Sequence, residues 1–195
     1  MGTTGAAADA AARDVGAGDA EARETETSDV VARARRAAAA VVDPELRVVT
    51  IDELGILRDV TQDPATGRIV VTITPTYTGC PAMDVIRDEI RAALTAAGYP
   101  AAEIRTVFAP AWTTDWISEE GRGKLLAAGI APPQPAASGA RAGATPGPVP
   151  VPLAVRCPLC GSPETEQVSR FGSTACKALW RCRACREPFE HLKAL

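Results

Sequence analysis

Four cysteines near the C-terminus stand in two close pairs. The pairs read CPLC and CRAC, and 21 residues separate them. Two Cys-x-x-Cys pairs can place four thiolates around one ion in a tetrahedron, and a site filled by protein ligands is structural rather than catalytic. We therefore expect a structural zinc, with mononuclear iron or an iron–sulfur cluster as the chief alternative. The predicted ligands are Cys157, Cys160, Cys182 and Cys185.

Another cysteine, Cys80, stands between Gly79 and Pro81, at the predicted start of a helix. Free backbone N–H groups and the positive end of the helix dipole favour a thiolate at such a position. The chain has a single histidine, His191, which lies in the segment with the paired cysteines, so Cys80 has no nearby base in sequence. We therefore expect a low-pKa thiol that handles a soft metal or sulfur species, and no self-sufficient catalysis. A purely structural thiol is the alternative.

The segments around Cys80 predict a small α/β (α+β) domain with the order αββαβα and a three-stranded sheet. Two β-rich runs, VVTIDELGILRDVTQD and RIVVTITP, flank the turn DPATG and indicate a hairpin. The run AEIRTVFAP predicts a third strand. The helix that follows Cys80 carries apolar residues at helical spacing. The predicted helix limits are Ser28 and Pro44, then Pro81 and Gly98, then Ser118 and Gly129.

Composition divides the chain into four parts. Residues 1–28 are rich in Ala, Gly, Thr and acids and predict a disordered tail. Residues 29–130 form the α/β domain, and the Pro/Gly/Ala-rich residues 131–154 predict a linker. Residues 155–195 are too few for an ordinary apolar core, so bound metal must supply the missing folding energy. We expect this last part to be a zinc β-ribbon.

Charge and hydropathy limit the function further. The net charge is −3; residues 1–29 hold seven acids and two arginines, a net of −5, which leaves +2 for the remainder. A net charge of +2 is too small to indicate a nucleic-acid partner by itself. Residues 155–195 hold seven basic and four acidic residues, a net of +3, so a nucleic-acid-binding or protein-docking module is the alternative function. No apolar run reaches the roughly 18 residues that span a bilayer. We expect no membrane partner and a cytoplasmic protein, in which cysteines are thiols or metal ligands.

Several motifs carry a resemblance to known families. The motifs DPEL and TPTYTGCPAM, in an αββαβ setting, are similar to the iron–sulfur assembly factors that include SufT. The runs WTTDWISEEGRGKLLAAGIAPP, CPLCGS, FGSTACKALWRC and CREPFEHLKAL resemble the PaaD (PaaJ) family of phenylacetate-degradation proteins. The resemblance covers residues 29–195. It implies an accessory subunit of the ring-1,2-phenylacetyl-CoA epoxidase system that assists assembly of iron or iron–sulfur centres. The implied partners are a di-iron oxygenase subunit and a flavin/[2Fe–2S] reductase.

The resemblance also suggests functional residues. Asp43 and Cys80 match the acidic and thiol positions of the family motifs, which implies transient iron or an iron–sulfur cluster at Cys80. Cys176, in FGSTACK, matches a further motif outside the two cysteine pairs. Two interpretations of Cys176 stay open: an additional thiol near the metal, or a small buried apolar residue. The chain ends in EHLKAL where the family tends toward FKC, so it lacks that last cysteine.

Overall fold

The computed structural model describes residues 24–77, 79–133 and 155–193. The first helix, α1, includes residues 24–39, so Ser28 lies inside it and not at its N-cap, and residues 24–28 do not belong to a tail. The helix also ends before Pro44. The chain leaves it because backbone hydrogen bonds close a separate loop, from the Asp43 amide to the Val49 carbonyl at 2.9 Å and from the Ile51 amide to the Val41 carbonyl at 2.9 Å. The remainder of the predicted tail lies outside the described residues.

The predicted order αββαβα and the three-stranded sheet are confirmed. Strands β1 (Leu57–Gln62) and β2 (Ile69–Ile73) pair antiparallel, and β3 (Glu103–Thr106) pairs parallel with β2. The helices α2 (Ala82–Ala96) and α3 (Glu119–Ala127) follow β2 and β3. Residues 51–55, at the start of the predicted first strand, form turns instead.

The core lies between the sheet and the helices. The apolar stripe of α2 buries Ile86, Ile90 and Leu94 completely, as the helical spacing predicted. Gly98 follows the helix at a φ of 94°, which favours glycine, and the next amide, that of Tyr99, donates to the Leu94 carbonyl at 2.8 Å. These contacts fix the C-terminal end of α2.

The C-terminal part is a β-ribbon that docks on the α/β domain. Strands β5 (Thr165–Ser169), β6 (Lys177–Cys182) and β7 (Pro188–Leu192) pair antiparallel. A short strand from the end of the α/β domain, β4 (Ile130–Ala131), pairs parallel with β7. The predicted linker therefore begins too early, because Ala131 is buried in the ribbon sheet and Pro133 is fully buried. The predicted linker residues from 134 onward lie outside the described residues.

The two domains share one apolar cluster. Cys176 and Leu192 of the ribbon belong to the same buried group as Ile86 and Ile90 of α2. The ribbon consequently packs against the α/β domain and does not stand apart from it. No helix within the described ranges is both long and apolar enough to cross a bilayer.

Candidate functional site

The four paired cysteines converge as the sequence predicted. The Sγ atoms of Cys157, Cys160, Cys182 and Cys185 all lie within 4.8 Å of one another. Two of the Sγ–Sγ distances are 3.7 Å, from Cys157 to Cys185, and 3.6 Å, from Cys160 to Cys182. A tetrahedral ion with metal–sulfur bonds of about 2.3 Å requires sulfur atoms about 3.8 Å apart. The four thiols therefore have the spacing of a metal-binding cluster.

Two similar turns present these thiols. In the first turn, the Gly161 amide donates to the Cys157 carbonyl at 2.9 Å, and Gly161 has a φ of 74°. In the second turn, Arg186 takes the same left-handed conformation with a φ of 67°. There the Cys185 amide lies 3.5 Å from the Cys182 Sγ, and an N–H group in that position stabilises a thiolate. The ligand positions are thus set by local backbone geometry.

A second group of side chains lines a cavity between the two domains. Cys80 comes from the segment before α2, Cys176 from the ribbon, and Asp43 and Glu45 from the loop after α1. We call this space the interdomain cavity. Its volume of about 20 Å³ is enough for one water-sized atom or ion. The structure therefore brings Cys176 to the same space as Cys80, across 95 intervening residues.

Cys80 lies one residue before the helix cap, because Pro81 is the N-cap residue of α2 and provides no side-chain cap. Burial raises the pKa of the Cys80 thiol, and the negative charges of Glu45 and Asp43 raise it further. The Ala82 amide donates to the sulfur and lowers the pKa, but by less than burial raises it. The predicted low-pKa thiol is therefore wrong. The helix terminus supplies a single N–H donor, and burial with nearby carboxylates outweighs it.

Cys176 is buried and held by two oxygen atoms. Its Sγ lies 3.0 Å from the Glu45 Oε2, to which the thiol donates, and 3.1 Å from the Thr174 hydroxyl. Burial, reinforced by the Glu45 carboxylate, raises the pKa of Cys176 to about 12. Two interpretations of Cys176 were left open, a small buried apolar residue and an additional thiol near the metal. Cys176 is buried. A purely apolar role does not fit, because the thiol contacts a carboxylate and lines a cavity with Cys80.

Asp43 shapes the loop that carries Glu45. The Asp43 Oδ1 accepts hydrogen bonds from the amides of Glu45 and Leu46, both at 2.9 Å. Burial raises the pKa of Asp43, while these two amides lower it. Through these hydrogen bonds Asp43 holds the backbone at Glu45, a residue that was not among the predicted site residues. The signal for Glu45 was present, since it stands in the same DPEL motif.

The buried hydroxyl of Thr74 has no hydrogen-bond partner among the described residues. The hydroxyl of Tyr77 faces the Cys80 thiol, and a hydrogen bond between them lowers the pKa of Cys80. Burial raises the pKa of Tyr77 to about 12, and the nearby Cys80, Glu45 and Cys176 add to the shift, so this hydroxyl stays protonated. Thr74 lines a second cavity of about 270 Å³, which shares Thr76 with the interdomain cavity. Polar atoms that are buried and unpaired indicate a place where a ligand or water completes the structure.

The basic residues of the ribbon are partly neutralised. Lys177 is buried and pairs with Glu190 at 2.7 Å, and Arg183 pairs with Glu166 at 2.7 Å. Two of the seven basic charges are therefore engaged within the ribbon, which weakens the nucleic-acid interpretation.

Two family profiles match the chain. Residues 32–105 match the family described as iron–sulfur cluster assembly protein, and residues 144–193 match the PaaD zinc beta ribbon domain. A crystal structure of a domain of unknown function (DUF59) from Bacillus anthracis is similar, with 28% identity and a TM-score of 0.47. The match covers 52% of this chain and 96% of the Bacillus anthracis chain.

Two relatives extend the comparison. The YitW protein of Bacillus subtilis (strain 168), named an Fe-S protein maturation auxiliary factor, is 41% identical over 81 residues, which are 40% of this chain and 76% of that protein. An Escherichia coli (strain K12) protein named as a subunit of 1,2-phenylacetyl-CoA epoxidase is 43% identical over 155 residues. That alignment covers 80% of this chain and 87% of the relative. On this similarity, the chain belongs to the PaaD family of phenylacetyl-CoA epoxidase subunits.

Proposed function

We propose that this protein is an accessory subunit of a phenylacetyl-CoA epoxidase and that it assists assembly or maturation of an iron or iron–sulfur centre. The family membership supports the first part of the proposal, and the iron–sulfur assembly domain at residues 32–105 supports the second. The oxygenase and reductase subunits of the epoxidase are the partners that follow from this role.

One observation carries the proposal: two thiols and two carboxylates line a single cavity that both domains build. Thiolates are preferred ligands of iron–sulfur clusters and of soft or borderline ions. The single histidine, His191, lies on β7, is not among the residues that line this cavity, and has a pKa lowered to about 4 by burial. A cavity with thiols but without a histidine to activate them suits transfer of an ion or cluster better than catalysis by this chain alone.

Zinc in the four-cysteine cluster fits this role as a structural ion. When bound, zinc supplies folding energy to a segment that has a small apolar core of its own. The chain's residues then do the positioning: Cys182 ends β6, the strand that begins at Lys177, and Cys176 immediately precedes that strand. An ordered ribbon thus keeps Cys176 beside the α/β domain. We also propose that the protein is cytoplasmic, since none of its six cysteines forms a disulfide.

The test replaces the Cys80 sulfur. A Cys80→Ser variant is expressed in a strain whose own copy is deleted, and growth on phenylacetate is scored beside a melting curve. Ser retains an acceptor for the Ala82 amide, so we expect a stability change within about 1 kcal/mol and loss of growth. The matched control is Val85→Ser on α2, where the side chain is 47% exposed and growth should be normal. Normal growth of Cys80→Ser would contradict the proposed role.

A further inference from the structure

We propose that the cavity of about 270 Å³ beside Thr74 is a binding site for a neutral aryl-acyl group, which is an aromatic ring joined to an uncharged carbonyl such as that of an amide, ester or thioester. The proposal goes beyond the proposed assembly role and involves no metal. We call this space the aryl pocket. It is lined by residues 74–77 and by Phe108, Ala111 and Trp112.

The aryl pocket lies beyond the carboxyl ends of two parallel strands. Ile73 and Thr106, the last residues of β2 and β3, are partners in the parallel ladder, and the lining residues follow these two ends. The Val107 amide donates to the Ile73 carbonyl at 2.9 Å. The Thr74 amide donates to the Ile56 carbonyl at 2.9 Å, so both segments are held to the sheet as they leave it. The crevice outside the carboxyl ends of parallel strands is a common place for ligands in α/β folds.

Aromatic side chains and the volume of the pocket indicate the shape of the ligand. Phe108 is 62% exposed, so much of its ring is open to contact. Trp112 is buried, and its indole N–H donates to the Leu54 carbonyl at 2.8 Å, which holds its ring in place. Such rings favour another aromatic ring in offset or edge-on contact. A cavity of about 150 Å³ holds one benzene molecule. The aryl pocket, at about 270 Å³, therefore has room for one ring and a short polar group.

A buried hydroxyl indicates where the polar group of the ligand binds. Thr74 is fully buried, and its hydroxyl has no hydrogen-bond partner among the described residues. A buried donor without a partner costs free energy, which a hydrogen bond to a ligand carbonyl would recover. The Tyr77 hydroxyl already faces the Cys80 thiol. The carbonyl oxygen of the ligand is therefore assigned to Thr74.

The charges around the aryl pocket disfavour an anionic ligand. None of the described residues that line it carries a charge, because burial raises the pKa of Tyr77 to about 12 and keeps its hydroxyl protonated. The neighbouring interdomain cavity is lined by two carboxyl groups, Asp43 and Glu45, and one ammonium group, Lys193. A free carboxylate in the aryl pocket would lose its hydration and gain no positive partner there. A neutral amide, ester or thioester carbonyl avoids that cost.

The test titrates the full chain, with zinc in its ribbon, with phenylacetamide and separately with phenylacetate, which has the same ring but a charged carboxylate. The NMR signals of the backbone amides record binding. We expect saturable shifts at residues 74–77 and 108–112. The dissociation constant should be at least about 10-fold lower for phenylacetamide, because the carboxylate has no positive partner in the pocket. No saturable shift up to the solubility limit of phenylacetamide, or equal dissociation constants for the two probes, would overturn the proposal.

Variants then assign the two contacts. Thr74→Val keeps the shape of the side chain without its hydroxyl, so it should weaken phenylacetamide binding about 5-fold and leave the binding of toluene, which has no carbonyl, unchanged. Phe108→Ala should weaken the binding of both probes about 10-fold. The matched control is Phe171→Ala on the ribbon, where the ring is 69% exposed and the binding of both probes should not change. Unchanged phenylacetamide binding in Thr74→Val or in Phe108→Ala would contradict the proposal.

The binding test is separable from the growth test. If phenylacetamide does not bind but Cys80→Ser still abolishes growth on phenylacetate, the aryl pocket is refuted and the accessory function stands. If phenylacetamide binds as expected but Cys80→Ser grows normally, the aryl pocket stands and the accessory role of Cys80 fails.

Discussion

Docking of the ribbon should depend on Leu192, the last residue of β7. Leu192 is 5% exposed and belongs to the buried cluster that includes Ile86 and Ile90 of α2. Replacing a buried leucine by alanine costs about 2–5 kcal/mol. Because Leu192 also lines the interdomain cavity, part of its surface has no packing partner to lose. We therefore expect Leu192→Ala to lower the free energy of unfolding by about 2–3 kcal/mol, in the lower half of that range.

The assay is urea unfolding followed by tryptophan fluorescence, with zinc measured per folded chain. Zinc content should not change, because Cys157 and Cys182 belong to a separate buried cluster. The matched control is Leu126→Ala on α3, where the side chain is 45% exposed and the loss should stay within about 0.5 kcal/mol. A loss below about 1 kcal/mol for Leu192→Ala, or a parallel loss of zinc, would refute the docking argument.

Three further predictions concern stability. Gly55→Ala should lower the free energy of unfolding by about 2–4 kcal/mol, because Gly55 has a φ of 70° and an added Cβ would lie 2.5 Å from the Trp116 Cβ. The control is Gly98→Ala, at a φ of 94° with open space around it, which should lower the free energy of unfolding by only about 1–2 kcal/mol. The partly buried His191 has its pKa lowered from 6.5 to about 4, so its contribution to stability is full above pH 6.5 and is lost as the pH falls to 4. His191→Gln should remove about 3 kcal/mol of that pH dependence, and equal pH profiles for the two proteins would contradict this. Cys157→Ser should release the ribbon metal and broaden the ribbon's NMR signals while the amides of α2 stay protected from hydrogen exchange; retention of the metal at one ion per chain would count against the four-cysteine site.

Local patterns were enough to predict much of the architecture. The cysteines at 157, 160, 182 and 185 could be recognised as ligands because each Cys-x-x-Cys turn is fixed within a few residues. The helix α2 follows from an apolar stripe that has one face to bury. The order αββαβα follows from the alternation of strand-like and helical runs. These features depend on residues that are close in sequence.

Features that depend on tertiary packing could not be predicted in this way. Ala131 lies in a proline-rich segment, yet it pairs with β7, whose residues come much later in the sequence. The raised pKa of the Cys80 thiol depends on burial and on Glu45, which lies on a loop after α1. The contact between Cys176 and Glu45 spans 131 residues and exists only after the ribbon docks. Each of these depends on how the finished domains meet.

The division of the candidate site between the domains gives a reason for the ribbon. Cys80 and Glu45 fall within residues 32–105, which match the iron–sulfur assembly family, whereas Cys176 falls within residues 144–193, which match the PaaD ribbon. An assembly domain alone would offer one thiol and nearby carboxylates. The ribbon adds a second thiol and holds it in place, since Cys176 directly precedes β6 and that strand ends at the metal-binding Cys182. Loss of the ribbon metal should therefore disorder Cys176 and leave Cys80 as the one ordered thiol of the interdomain cavity.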